Sequence, residues 1–140
     1  MGFSEGVAKQ VALLKEGKIL EALDRLFAKE GIMYSNSVLF GTGYLNCRRM
    51  QEPFLAAAKN IRADISEVIL HKDKELCLFR NRTKFDGPDG VERHIDGLHI
   101  QKWQDGKIIC EWYYNGEPMQ LLLTKGVMQN PEIGCVPPLG

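Results

Sequence analysis

The feature that most constrains this chain is a series of alternating segments in its second half, closed by a two-residue turn signal. Residues 76–85 put Leu76, Leu78, Arg80, Arg82 and Lys84 on one face and Cys77, Phe79, Asn81, Thr83 and Phe85 on the other. A period of two predicts a β-strand. Residues 65–70 are apolar and β-branched, and residues 91–103 and 108–114 complete a set of four strands. Asp105-Gly106 separates the last two. That dipeptide is a strong hairpin signal, because a tight turn needs residues that tolerate positive φ. Short connections of this kind predict antiparallel neighbours.

Before residue 65 the period changes. Val7, Val11 and Leu14 form a helical stripe, and Ile19, Leu23, Leu26 and Phe27 form a second. Ser4 is the expected N-cap of the first, and Gly17 and Gly31 are the expected ends of the two. Residues 32–35 read as a short strand and Gly41-Thr42-Gly43 as a break. A third stripe runs through Cys47, Met50, Phe54 and Ile61, with Pro53 expected to kink or restart it. Helices first and a meander of strands afterwards predict an α+β fold. The expected form is a curved, mostly antiparallel sheet wrapped around the N-terminal helices, leaving a cone with an internal pocket. Residues 1–128 are expected to form one domain. Residues 129–140, with three prolines, are expected to be an irregular tail.

Composition excludes several classes. The chain has 140 residues, one domain's worth, with 18 basic and 18 acidic side chains. A zero net charge removes the general footprint of a nucleic-acid binder and of a cationic membrane-surface protein. No apolar run approaches the ~18 residues of a membrane span. Met1-Gly2-Phe3-Ser4-Glu5 lacks the pattern of a signal peptide, so a cytoplasmic protein is expected. Cys47, Cys77, Cys110 and Cys135 include no close pair, and the three histidines fall on different turns or faces. Neither a metal site nor a cofactor is expected, and the thiols are expected to be reduced.

Two stretches, Ala22-Leu23-Asp24-Arg25-Leu26-Phe27-Ala28 and residues 97–112 around the Asp105-Gly106 turn, set within this order of elements, resemble the SnoaL-like branch of the nuclear transport factor 2-like superfamily. The resemblance covers residues 5–114 and rests on order and spacing rather than on one motif. It implies a cone-shaped, cystatin-like α+β barrel, an apolar cavity and frequent homodimers. Its members include isomerases, cyclases, dehydratases, epoxide hydrolases and non-catalytic binding domains, so fold alone does not give function. The catalytic set of the ketosteroid isomerases falls on Gln10, about Ser35 and His99, and all three differ. The water-holding pair of the limonene epoxide hydrolases matches Tyr34 and Asn36. Their catalytic aspartate falls on Tyr113, and no acid lies between Leu76 and Phe85.

His99 is the sharpest candidate for chemistry, because an imidazole gives or takes a proton near neutral pH. By alternation it shares a face with Gln101 and Trp103. The faces of Glu111 and Tyr113 depend on the hairpin. A two-residue turn would pair Trp103 with Ile108 and bring Cys110 and Trp112 beside His99. A three-residue loop would pair Trp103 with Ile109, and then Gln101 faces Glu111 and His99 faces Tyr113. The resemblance implies the second register. The expected catalytic residues are then His99, Glu111 and Tyr113, with Tyr34, Asn36, Gln101 and Trp103 binding ligand. The expected function is a small cofactor-independent enzyme doing acid/base chemistry on an apolar carbonyl-bearing or polycyclic substrate, as an isomerase, cyclase or dehydratase. The alternative is a non-catalytic module of the same fold that binds a hydrophobic ligand or dimerises. The opposite face carries Leu98, Ile100, Cys110, Trp112 and Tyr114. So large an apolar patch predicts a homodimer through the outer sheet face, or cover by Leu121-Leu122-Leu123 or the tail of the same chain.

Overall fold

A computed structural model describes residues 1–136. Helices α1 (Phe3–Lys15) and α2 (Ile19–Leu26) form a hairpin, and β1 (Phe27–Ser35), β2 (Val38–Thr42) and α3 (Tyr44–Ala57) follow. Four long strands come next: β3 (Lys59–His71), β4 (Leu76–Asp86), β5 (Glu92–Gln104) and β6 (Lys107–Asn115). Helix α4 (Gly116–Thr124) and a 3-10 turn at Pro131–Gly134 end the described chain. One six-stranded sheet has the order β2-β1-β6-β5-β4-β3. All its pairs are antiparallel except β1 with β6. The sheet does not close on itself; β2 and β3 are its free edges. The fold is the expected α+β class, a cone-like arrangement of helices and a mixed sheet.

The first helix starts two residues earlier than expected, capped by Gly2 rather than Ser4. The second ends at Leu26, because residues from Phe27 onward pair with β6 as strand instead of continuing to Gly31. Strand β2 runs into the stretch read as a break, taking in Gly41 and Thr42 and ending before Gly43. Pro53 lies inside α3 without ending it.

Two apolar layers sandwich the sheet. On the inner face Val7, Leu13, Leu23 and Leu26 of the helices pack with Phe79, Trp103 and Ile108. On the outer face Leu78, Leu98, Ile100, Trp112 and Tyr114 pack with Met119 of α4 and with Val127 and Met128. The Trp112 indole N–H donates to the Val136 carbonyl at 3.1 Å, and the Tyr114 hydroxyl donates to the Gly134 carbonyl at 2.6 Å. The patch that predicted a dimer is therefore buried by its own chain, the other of the two covers considered. Residues 129–136, expected as an irregular tail, supply part of that cover. Residues 137–140 of the tail lie outside the described residues.

The hairpin combines the two registers weighed from sequence. Asp105 and Gly106 have φ of 52° and 74°, the positive pair of a two-residue turn, and Trp103 pairs with Ile108. One extra residue on β6, Ile109, then shifts the register between Lys102 and Trp103. Beyond this bulge Gln101 pairs with Glu111 and His99 with Tyr113. A bulge inserts one residue and so exchanges the two faces of everything after it. Ile108 thus packs inward, whereas Cys110, Trp112 and Tyr114 pack outward. Without the bulge, Cys110 and Trp112 would stand where Glu111 and Tyr113 stand.

Candidate functional site

Between α2, α3 and the inner face of the sheet lies a cavity of about 360 Å³, within the size range of small-molecule sites. Its walls are mainly apolar: Leu14, Ile19, Met33, Phe40, Met50, Phe54, Ile61 and Ile95 all line it. Most of its polar groups come from the strands, with Asn81 and Thr83 on β4, His99 on β5, and Glu111 and Tyr113 on β6, while α3 adds Gln51. Alternation aims all five strand residues the same way: His99 pairs with Tyr113, and Asn81, Thr83 and Glu111 pair with Gly97, Ile95 and Gln101, which lie at even spacing from His99 on β5. A larger open depression of about 750 Å³ lies by Asp24, Lys29, Glu30 and the Asp105 turn. Its charged groups are exposed and of both signs, which reads as solvated surface.

His99 is held from four sides. Its Nδ1 lies 3.2 Å from Glu111 Oε1 and its Nε2 lies 3.2 Å from Asn81 Nδ2. The Phe79 ring stacks on it at 4.6 Å between centroids, and the Tyr113 ring meets it edge-on at 5.1 Å. Glu111 Oε1 also accepts from Gln101 Nε2. Burial pushes the Glu111 carboxyl up; the charge His99 carries when protonated and hydrogen bonds from His99 and Gln101 outweigh it and hold the group below its ordinary value. Burial drives the Tyr113 phenol up to about 12 despite a hydrogen bond with Asn115, so it keeps its proton at neutral pH. Gly97 makes room for that ring: a Cβ there would sit 2.4 Å from the Tyr113 hydroxyl oxygen.

Behind Glu111 a buried amide cluster ties the site to α1. Gln10 and Gln101 exchange two hydrogen bonds, at 2.8 and 2.7 Å. Gln101 Oε1 also accepts from the Trp103 indole N–H at 3.2 Å and the Cys77 thiol at 3.3 Å. These groups satisfy one another, as buried polar groups must.

The expected site residues therefore separate. His99, Glu111 and Tyr113 come together in the cavity wall. Gln101 and Trp103 are wholly buried behind it and do not line it. Tyr34 touches the cavity edge, but it pairs with Trp112 and packs in the outer layer. Asn36 turns away altogether: its amide exchanges hydrogen bonds with Asn115, at 2.8 Å to the side chain and 3.0 Å from the backbone. At φ 48°, it is a turn residue. Sequence reasoning gave no role to Asn81 or to Gln10 as a partner of Gln101. Asn81 was legible as an inward position on β4, and no local signal marks the Gln10 pairing. Burial pushes the Cys77 and Cys110 thiols up to about 12 and those of Cys47 and Cys135 to about 11, so none is a thiolate at neutral pH. Among the described residues no group of three or more His, Cys, Asp or Glu side chains could hold a metal. No described helix is long and apolar enough to cross a membrane.

No family model and no curated protein sequence matches the chain. Solved structures do. A candidate SnoaL-like polyketide cyclase from Mesorhizobium loti is 17% identical over 81% of this chain and 99% of its own, with a TM-score of 0.67. Wild-type IdmH from Streptomyces antibioticus, a candidate polyketide cyclase, is 15% identical over 89% of this chain and 99% of its own, with a TM-score of 0.66. An uncharacterised cystatin-fold protein from Novosphingobium aromaticivorans is 13% identical over 81% of this chain and 97% of its own, at 0.66. Identities this low carry the fold and not the activity. The chain has the fold of the SnoaL-like proteins of the nuclear transport factor 2-like superfamily.

Proposed function

We propose that this protein is a small cofactor-independent enzyme that moves a proton on an apolar carbonyl compound, in the isomerase, cyclase or dehydratase class. The observation that carries the reading is the contact of His99 Nδ1 with Glu111 Oε1 in the wall of an apolar cavity. A carboxylate kept ionised beside an imidazole, with little water around it, is suited to general acid/base work. His99 and Glu111 act as one unit that takes a proton from the carbon next to the carbonyl. The electron pair of that C–H bond moves to the carbonyl oxygen. Tyr113, still protonated at neutral pH, donates a hydrogen bond to the oxygen as its charge grows. The unit then returns the proton to carbon. The fold neighbours described as candidate polyketide cyclases support a reaction class of this kind.

The test uses the bicyclic ketone 2-tetralone in deuterated buffer, with exchange at the carbon beside the carbonyl followed by NMR. The wild-type protein is expected to speed exchange above buffer, and His99→Phe, which keeps a ring against Phe79, is expected to lose most of that rate. Tight binding of the ketone with no faster exchange would instead support the binding-module reading.

A further inference from the structure

The two nitrogens of His99 face different kinds of partner. Nδ1 meets a carboxylate oxygen, which only accepts, so Nδ1 carries a proton. Nε2 meets the amide nitrogen of Asn81, which only donates, so Nε2 presents its lone pair. In this orientation the Thr83 hydroxyl donates to Asn81 Oδ1 at 3.2 Å. Asn81 is itself buried, at 8% exposed. The titratable groups facing His99 are Glu111 and Tyr113, both from β6, while β4 offers Phe79 and Asn81. The helix residues lining the cavity, Leu14, Ile19, Met50, Gln51 and Phe54, carry no charge.

We propose that Asn81 is a positioning residue that closes Nε2 and fixes His99 as the neutral Nδ1–H tautomer. This deepens the acid/base reading above and rests on it. With Nε2 engaged, protons leave and enter the pair through Glu111. The Glu111 carboxylate is then the group that meets the substrate: its oxygen forms the new O–H bond as the substrate C–H bond breaks, and it gives the same proton back. Oε1 is occupied by His99 and Gln101, and a carboxylate has about four lone-pair sites, so acceptor capacity is left for the proton. The His99 Nδ1–H bond steadies the carboxylate from behind. Free histidine side chains favour the opposite tautomer, which makes the assignment discriminating.

The test is a long-range 1H–15N correlation spectrum of 15N-histidine-labelled protein at pH about 7, with His99→Phe identifying the signals. The expected result is a pyrrole-like Nδ1 and a pyridine-like Nε2. A protonated Nε2, alone or together with Nδ1, would overturn the proposal. In Asn81→Asp the new carboxylate is expected to draw a proton onto Nε2, making both nitrogens pyrrole-like. In Asn81→Leu the Glu111 carboxylate still holds the proton on Nδ1, but the donor facing Nε2 is gone, so Nε2 is expected to shift toward the pyrrole-like position as it takes up a proton. An unchanged pattern in a folded Asn81→Leu protein would show that Asn81 does not set the tautomer. The spectrum reads no turnover. If the tautomer is as expected and 2-tetralone does not exchange, the acid/base reading fails while the role of Asn81 stands.

Discussion

Replacing Trp112 with aspartate is expected to unfold the protein rather than to separate two subunits. Trp112 is 6% exposed and lies under α4 and the segment that follows it, with its N–H satisfied by Val136. Removing a buried tryptophan costs about 3–5 kcal/mol through lost burial and the cavity left behind. The introduced carboxylate has no partner in that layer and adds a further penalty. Against a total stability of about 5–15 kcal/mol, this removes most of the folded population. Thermal melting followed by circular dichroism checks it: the variant should lose its cooperative transition or melt far below the wild type. A variant that melts like the wild type and is merely a smaller particle by light scattering would mean that Trp112 sits in a contact between copies and not under its own chain.

The second large effect is on chemistry. Glu111→Gln keeps the size of the side chain and an acceptor for the His99 Nδ1–H, but an amide does not take a proton at neutral pH. General acid/base catalysis is worth about 10²–10⁴-fold, so exchange of 2-tetralone should fall by that factor. Binding of the ketone should change little, because the apolar wall is untouched. If Glu111→Gln exchanges the ketone as fast as the wild type, Glu111 is not the base.

Much of this was legible in the sequence because it rests on short-range pattern. The period of two grouped Phe79 with Asn81 on one face of β4 and His99 with Gln101 and Trp103 on one face of β5, the resemblance turned the His99 face toward the cavity, and Asp105-Gly106 marked the turn. The bulge was not legible. It adds Ile109 next to Ile108, and two identical apolar residues in a row leave no trace of which one is extra. Yet that residue decides whether Glu111 or Cys110 stands near His99. Helix α4 was hidden by Asn115-Gly116-Glu117-Pro118, which reads only as the end of the last strand and in fact starts a helix that brings Met119 onto the sheet. Tyr34 and Asn36 were singled out through the resemblance. Their side chains are committed to the outer layer and to Asn115 by pairings with residues nearly eighty positions away. The Gln10–Gln101 pair, 91 residues apart, is a tertiary contact that no local pattern carries.

The claim at the centre of this account is that His99 and Glu111 form one coupled unit in the cavity. Two opposing influences act on the carboxyl: burial pushes it up, while the charge of a protonated His99 and the bonds from His99 and Gln101 pull it down. The direct measurement is a pH titration of the Glu111 carboxyl carbon by 13C NMR, in the wild type and in His99→Phe. The account predicts a value below the ordinary 4.5 in the wild type, and a value above it in the variant, where burial is opposed by Gln101 alone. A Glu111 that titrates at the same pH in both proteins would show that the two side chains are neighbours without being a pair.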